Sequence, residues 1–268
     1  MTHFYEKLKQ RVAEFGPLCV GIDPHPSVLE TWGVAQDVEG LAQVALGMVE
    51  ALADSVAVFK PQSAFFERWG SAGAAVLEQC VAAIHEAGGL VILDVKRGDI
   101  GSTMAAYAQA YLADGPLSVD AITVSPYLGF GSLAPAIDLA EASGRGVFVL
   151  TRTSNPEGSD IQLGRTVSGD AVAQSLVDQA AARNRESGAN AVGLVVGGTH
   201  QSLGVELGSY TGAILIPGIG AQGGTISGLR SSFAATSALL LPSVSREVLG
   251  AGPDPVRLRA AVDKVLAS

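Results

Sequence analysis

Charge is scarce in this chain of 268 residues: Asp, Glu, Lys and Arg together make up only 16% of it, against roughly a quarter of an ordinary soluble domain. Cations are the scarcer sign, 17 against 26 acids, for a formal net charge of −9. That excludes broad nucleic-acid binding, which works by neutralising phosphates with Lys and Arg. A small anionic ligand stays possible, because a few local cations suffice to hold one. Cysteine is nearly absent. Cys19 and Cys80 lie far apart in apolar segments, so buried free thiols are expected. The four histidines, His3, His25, His85 and His200, show no metal-ligand spacing, and no metal site is expected. His25, beside Asp23 at a strand end, reads as a surface-loop residue first and as a residue lining the site second, and His200 as a structural residue opening a helix. No Ser-His-Asp triad can be argued. Long apolar runs are missing too: none approaches the ~18 residues of a spanning helix. The start, Met1-Thr2-His3-Phe4-Tyr5-Glu6-Lys7, lacks the apolar stretch of a signal peptide. The expectation is a soluble, cytoplasmic protein with neither membrane nor nucleic acid as partner.

What is present in excess is apolar residue, 48% of the chain. A fully buried parallel sheet explains this, because its strands read as unbroken apolar runs. Eight such runs occur: Leu18–Ile22, Val56–Lys60, Leu90–Asp94, Ala121–Ser125, Val147–Thr151, Ala191–Val196, Ala213–Pro217 and Ala235–Leu241. Most end near Gly, Pro, Asp or Ser, as strands do. Helical stripes lie between them, for example Leu41, Val44, Ala45, Met48, Val49 and Leu52, or Val76, Leu77, Cys80, Val81 and Ile84. Phe4, Leu8, Val12 and Phe15 stripe an extra helix before the first strand, and Val256, Leu258, Val262, Val265 and Leu266 a closing one. Eight βα units in a row predict a (β/α)8 TIM barrel with an extra N-terminal helix, one domain over residues 1–268. A doubly wound open sheet is the second choice. Trp32 and Trp69 read as packing residues. The polar stretch Arg152–Gly169 reads as a loop long enough to be a lid or binding loop.

In such a barrel the active site lies at the carboxyl ends of the strands, so the polar residues closing each strand matter most. They are Asp23, Lys60, Asp94 with Lys96, Ser125, Ser154, Pro217, and Ser245 with Arg246. Asp94 and Lys96 are two residues apart, and strand alternation projects both to one side. Asp99 follows in the turn. Charges at the end of a buried strand are costly unless paired, and Lys60 is the obvious neighbour. A Lys–Asp–Lys–Asp array of Lys60, Asp94, Lys96 and Asp99 satisfies its own charges and holds an ammonium group fixed. The second anchor is Pro217-Gly218-Ile219-Gly220-Ala221-Gln222-Gly223-Gly224. Its glycines let backbone N–H groups approach an anion ahead of a helix start, and Arg246 after strand eight completes an anion clamp. Arg97 and Arg152 read equally as solvated or as lid-pairing residues.

Asp-x-Lys-x-x-Asp after a third strand, with Lys at the end of the second, resembles the active-site pattern of the orotidine 5′-phosphate decarboxylase family. The Pro–Gly–Ile–Gly–Ala–Gln–Gly–Gly run resembles that family's phosphate and lid-contact element. The resemblance is strongest at these short motifs, spans about residues 17–250, and fits the longer bacterial members. It implies catalytic roles for Lys60, Asp94, Lys96 and Asp99, with Lys96 as the proton donor. It implies substrate contacts from Asp23 (ribose), Ser154 (pyrimidine), Ile100, Thr103, Pro217, Gly218, Gly220, Gln222, Gly223, Ser245 and Arg246. Asp99, Ile100 and Thr103 would be donated across the interface of a homodimer with shared active sites. The activity implied is cofactor-free decarboxylation of orotidine 5′-phosphate to uridine 5′-phosphate in pyrimidine biosynthesis, with a small-molecule nucleotide as substrate and no metal. Two departures stand out: Ser245 where shorter members carry Gly, and the long 152–169 loop. Two other readings compete. One is a Mg²⁺-dependent sugar-phosphate decarboxylase or synthase of the same superfamily, whose pattern places a carboxylate near Lys60. The other is a non-catalytic barrel that binds a phosphorylated metabolite.

Overall fold

The computed structural model describes residues 2–200, 202–220 and 223–268. Its strands are β1 (Cys19–Ile22), β2 (Val58–Pro61), β3 (Ile92–Arg97), β4 (Ala121–Val124), β5 (Gly146–Arg152), β6 (Val192–Val196), β7 (Ala213–Pro217) and β8 (Leu239–Val244). All pair in parallel, in the order β2-β1-β8-β7-β6-β5-β4-β3. The two ends of that order meet through isolated parallel bridges, Phe59 with Val91 and Gln62 with Asp94. The sheet is thereby a nearly closed ring wrapped by helices, the predicted (β/α)8 barrel.

Period-two alternation explains how one sequence makes both the core and the site. Along the inner face of β2, Val58 is followed by Lys60; along β3, Ile92 by Asp94; along β4, Ala121 by Thr123; along β8, Leu241 by Ser243. The first of each pair belongs to a buried apolar cluster with Cys19, Phe148, Val195 and Leu215. The second lines a cavity above it. Apolar layers fill the lower barrel, as this fold requires, and a polar layer begins where the strands end. The helix Phe4–Phe15 closes the other end: Leu8 is fully buried, and Phe4 meets Phe148 edge-on at 6.1 Å.

Outside the strands, the predicted stripe of the helix Val38–Leu52 is buried throughout, from Leu41 to Leu52. Each of its Leu, Val and Met side chains contributes about 1.5–3 kcal/mol on burial. Asp37 caps this helix, its carboxylate accepting the Gly40 N–H at 2.9 Å. Cys19 and Cys80 are buried and free, and burial pushes both thiols up to about 12. Trp32 is buried and donates its indole N–H to the Leu249 carbonyl at 2.8 Å. Among the described residues no helix is long and apolar enough to cross a membrane.

Two expectations need correction. The eighth strand runs over Leu239–Val244 rather than Ala235–Leu241. Residues 234–235 lie in a turn that follows the preceding helix, and Pro242, which looks like a strand end because it lacks an N–H, sits inside the ladder opposite Ile216. His200 opens no helix: among the described residues, turns alone connect β6 to β7. Glycines at 197, 198, 204, 208 and 212 break any helical stripe there.

Candidate active site

The strand ends surround a cavity of about 1130 Å³. At its floor three charged groups form a chain. Lys60 Nζ lies 3.0 Å from Asp94 Oδ2, and Lys96 Nζ lies 2.6 Å from Asp94 Oδ1. Two neutral groups add to this: Gln62 Nε2 donates to Oδ2 at 3.0 Å and Thr123 Oγ1 to Oδ1 at 2.8 Å. Each carboxylate oxygen of Asp94 therefore holds two donors, the full complement of its lone pairs. Burial alone would favour the protonated acid, but the Lys60 and Lys96 ammonium groups outweigh it and hold the Asp94 carboxyl well below the usual range. Burial likewise disfavours charged Lys60, yet Asp94 and Asp23 raise its pKa above the ordinary lysine value. Lys60 is nearly enclosed, whereas the Lys96 side chain is 46% exposed and so is the ammonium group open to the cavity.

Strand alternation predicts Asp94 and Lys96 on one side, but regular alternation is not how they meet. Between Leu93 and Arg97, β3 advances four residues while β4 advances two, from Ile122 to Val124. Lys96 takes up the excess in the left-handed region, at φ 47°, a conformation that costs a non-glycine residue energy and clusters at functional sites. Asp99 does not join the array; the contact it makes is with the Ile100 N–H, at 2.7 Å. Asp99, Ile100 and Thr103 all lie outside the cavity of their own chain, and Ile100 is 62% exposed.

Of the other expected contacts, Asp23, Ser154, Pro217, Gly218, Ser245 and Arg246 line the cavity. His25 also lines it, exposed, while its Nδ1 accepts the Ser27 N–H at 3.3 Å. Gly220 and Gly223 sit in the left-handed region, as the motif requires, but outside the cavity wall. Their N–H groups are engaged within the loop: Gly220 donates to the Gly224 carbonyl at 2.9 Å and Gly223 to the Gly220 carbonyl at 2.7 Å. The loop thus braces itself instead of presenting these two donors outward. Gln222 lies outside the described residues. Arg246 is exposed at the rim and forms no ion pair among the described residues.

The polar segment after β5 is more structured than its composition suggests. It carries the short helix Gly158–Gln162 and an antiparallel bridge between Arg165 and Ala171. Arg152 is its anchor. Buried at 4% exposure, it donates to Gln162 Oε1 at 3.3 Å and Ser159 Oγ at 3.1 Å. Of the two readings left open for it, pairing with the polar segment is the one seen. Arg97 instead pairs with Glu67 at 2.5 Å. Gly197 has no room for a Cβ, because Ser154 Cα would stand 2.8 Å away; this close approach seats Ser154 over the end of β6.

Sequence reasoning missed three residues at the site, two of which, Thr123 and Glu247, line the cavity. Thr123 and Gln62 complete the coordination of Asp94. Glu247 lines the rim beside Arg246, with a buried Oε2 that has no partner among the described residues and that a Cβ on Gly220 would strike. Asp23 Oδ1 and Ser245 Oγ are likewise buried and without a partner among the described residues.

A parallel barrel with charged strand ends around a cavity of this size defines the class: a (β/α)8-barrel enzyme acting on a small molecule. Residues 16–261 match the profile of the orotidine 5′-phosphate decarboxylase / HUMPS family, and the chain belongs to that family as a carboxy-lyase. It is 56% identical to an orotidine 5′-phosphate decarboxylase of Salinispora tropica over 100% of this chain and 97% of the relative. A Streptomyces coelicolor protein of the same name is 52% identical, over 98% of this chain and 96% of its own. A crystal structure of a Streptomyces avermitilis protein described under that name superposes with a TM-score of 0.94 at 50% identity, covering 100% of this chain and 94% of the other.

Proposed function

We propose that this chain converts orotidine 5′-phosphate to uridine 5′-phosphate and CO₂, a step of pyrimidine biosynthesis, without a cofactor. One observation carries the reading: Lys60, Asp94 and Lys96 joined in a chain at the cavity floor. Breaking the bond between C6 and the carboxylate leaves its electron pair on C6, with no cofactor to delocalise it. A fixed cation is the remedy available to a protein, and it works best where the surroundings are already arranged. Lys96 supplies that cation and transfers a proton to C6, and solvent returns the proton to Lys96. Asp94, with both oxygens saturated by donors, serves to hold the two lysines. Lys60 stands where the metal-dependent readings call for a carboxylate, which favours the metal-free branch. Among the described residues no three His, Cys, Asp or Glu side chains gather to share a cation.

Asp23 Oδ1 and Ser245 Oγ, buried without a partner among the described residues, suit ribose hydroxyls, which donate and accept. Arg246 at the rim takes the phosphate, and that remote grip supplies binding energy for ordering the site. Asp99, Ile100 and Thr103 complete the site of a second copy in a homodimer. Their position outside their own cavity and the exposed apolar surface of Ile100, Tyr127 and Leu128 support this.

The test follows the ultraviolet absorbance of orotidine 5′-phosphate with the purified chain in excess EDTA, beside a Lys96→Ala control. Conversion by the unmodified chain alone is the expected result. No conversion, with turnover of a sugar phosphate on adding Mg²⁺, would overturn it.

A further inference from the structure

We infer that Thr123 is a positioning residue: its hydroxyl sets where the Lys96 ammonium group stands. The inference rests on the decarboxylase reading above only for its kinetic half.

Thr123 lies on the inner face of β4, 1% exposed. Its single hydroxyl proton goes to Asp94 Oδ1, at 2.8 Å. Its oxygen accepts the backbone N–H of Lys96, at 3.0 Å. It therefore holds Lys96 from both sides, directly through the main chain and indirectly through the carboxylate on which Lys96 Nζ rests at 2.6 Å.

The main-chain half matters because of the bulge. In a regular parallel ladder the Lys96 N–H would find a carbonyl of the neighbouring strand. Here the register slips between Leu93 and Arg97, and the ladder resumes with Ser125 N–H donating to the Arg97 carbonyl at 2.8 Å. A bulge leaves a residue unpaired and re-aims its side chain. The Thr123 hydroxyl replaces the lost ladder acceptor at Lys96, the bulge residue held at φ 47°. Without it, a left-handed lysine would keep its strain and lose a partly buried hydrogen bond. Valine would fill the same space and suit the strand equally well, so shape alone does not call for a hydroxyl here.

The chain has five lysines, so uniform ¹⁵N-lysine labelling gives a spectrum sparse enough to read the Lys96 amide, assigned with Lys96→Arg. In Thr123→Val that amide is expected to lose its protection from hydrogen exchange. On orotidine 5′-phosphate, kcat is expected to fall roughly 10- to 100-fold, while affinity for uridine 5′-phosphate stays within about threefold. Thr123→Ser, which keeps the hydroxyl, is expected to restore both readouts. Thr123→Ala carries the same test if the valine chain does not fold. An unchanged Lys96 amide in the hydroxyl-free chain overturns the proposal, as does lost protection with unchanged kcat. So does equal loss of kcat and product affinity that serine fails to rescue. If the unmodified chain turned over no orotidine 5′-phosphate, the functional reading would fall, while the Lys96 amide would still decide whether Thr123 holds it.

Discussion

Gln62 is joined to Asp94 twice, once by the backbone bridge that closes the ring between β2 and β3 and once by its side-chain N–H at 3.0 Å. Ring closure and the ionic floor of the cavity therefore share a residue pair. Gln62→Leu removes one hydrogen bond to a charged group and is expected to cost roughly 1.5–3 kcal/mol. Urea unfolding checks this as a lower midpoint at unchanged slope; a midpoint equal to that of the unmodified chain would show that the contact carries no stability.

Asp94 predicts the acid side of the stability profile. Burial raises its pKa and the two lysines lower it further, for a net depression. A carboxyl depressed in the folded state stabilises the fold above its unfolded value of about 3.9 and loses that contribution as pH falls toward the folded value. Stability is thus expected to decline with acidification below about pH 4, and less steeply in Asp94→Asn. At pH 7 the same variant leaves Lys60 buried beside a neutral amide, at a cost of about 3–5 kcal/mol. Parallel pH profiles for the two chains would remove Asp94 from the account.

Arg246 stands at the cavity rim, apart from the ionic floor. Arg246→Ala is expected to reduce kcat/KM on the whole nucleotide by about 100-fold or more, and on the phosphate-free nucleoside scarcely at all. Equal losses on both substrates would sink the phosphate clamp.

Arg152 predicts the behaviour of the segment it anchors. Arg152→Met keeps an apolar stem but releases Ser159 and Gln162. Amide exchange over residues 155–169 is expected to rise by about tenfold or more while the core strands stay protected. Unchanged exchange there would mean that the segment is held by something other than Arg152.

The placement of Asp99 predicts complementation. Lys96→Ala and Asp99→Ala are each expected to be nearly inactive. Mixed under conditions that exchange subunits, they should regain activity, because one of the two sites then holds both residues. A mixture as inactive as its parents would argue against composite sites.

The eight strands were legible because parallel strands buried on both faces must be apolar, and the candidate site because charges at their ends stand out against that background. β8 was misplaced where apolar Ala234 and Ala235 imitate a strand and Pro242 imitates its end. The hydroxyl of Thr123 was invisible for a different reason: in Ala-Ile-Thr-Val it looks like any β-branched packing residue. Its partners come within reach only through a bulge that no periodicity encodes. Arg152 could be narrowed to two readings, since burial at the base of a polar segment depends on how that segment folds back. Asp99 looked like the fourth member of an array because it is close in sequence. Within one chain it lies outside the cavity, which in the proposed homodimer leaves the array to be completed by a second copy.

The helix Phe4–Phe15 makes the barrel a cup and not a tube. With Phe4 set against Phe148 and Leu8 fully enclosed, the floor beneath Lys60 is sealed by packed side chains. Whatever reaches Lys96 arrives through the mouth at the strand ends, and both fragments of a cleaved molecule must depart the same way. Traffic is thus single-ended, and the segment tethered by Arg152 stands beside that mouth, with Gly158, Ile161 and Gln162 in the cavity wall. Release of the larger fragment and entry of the next molecule must take turns at that threshold.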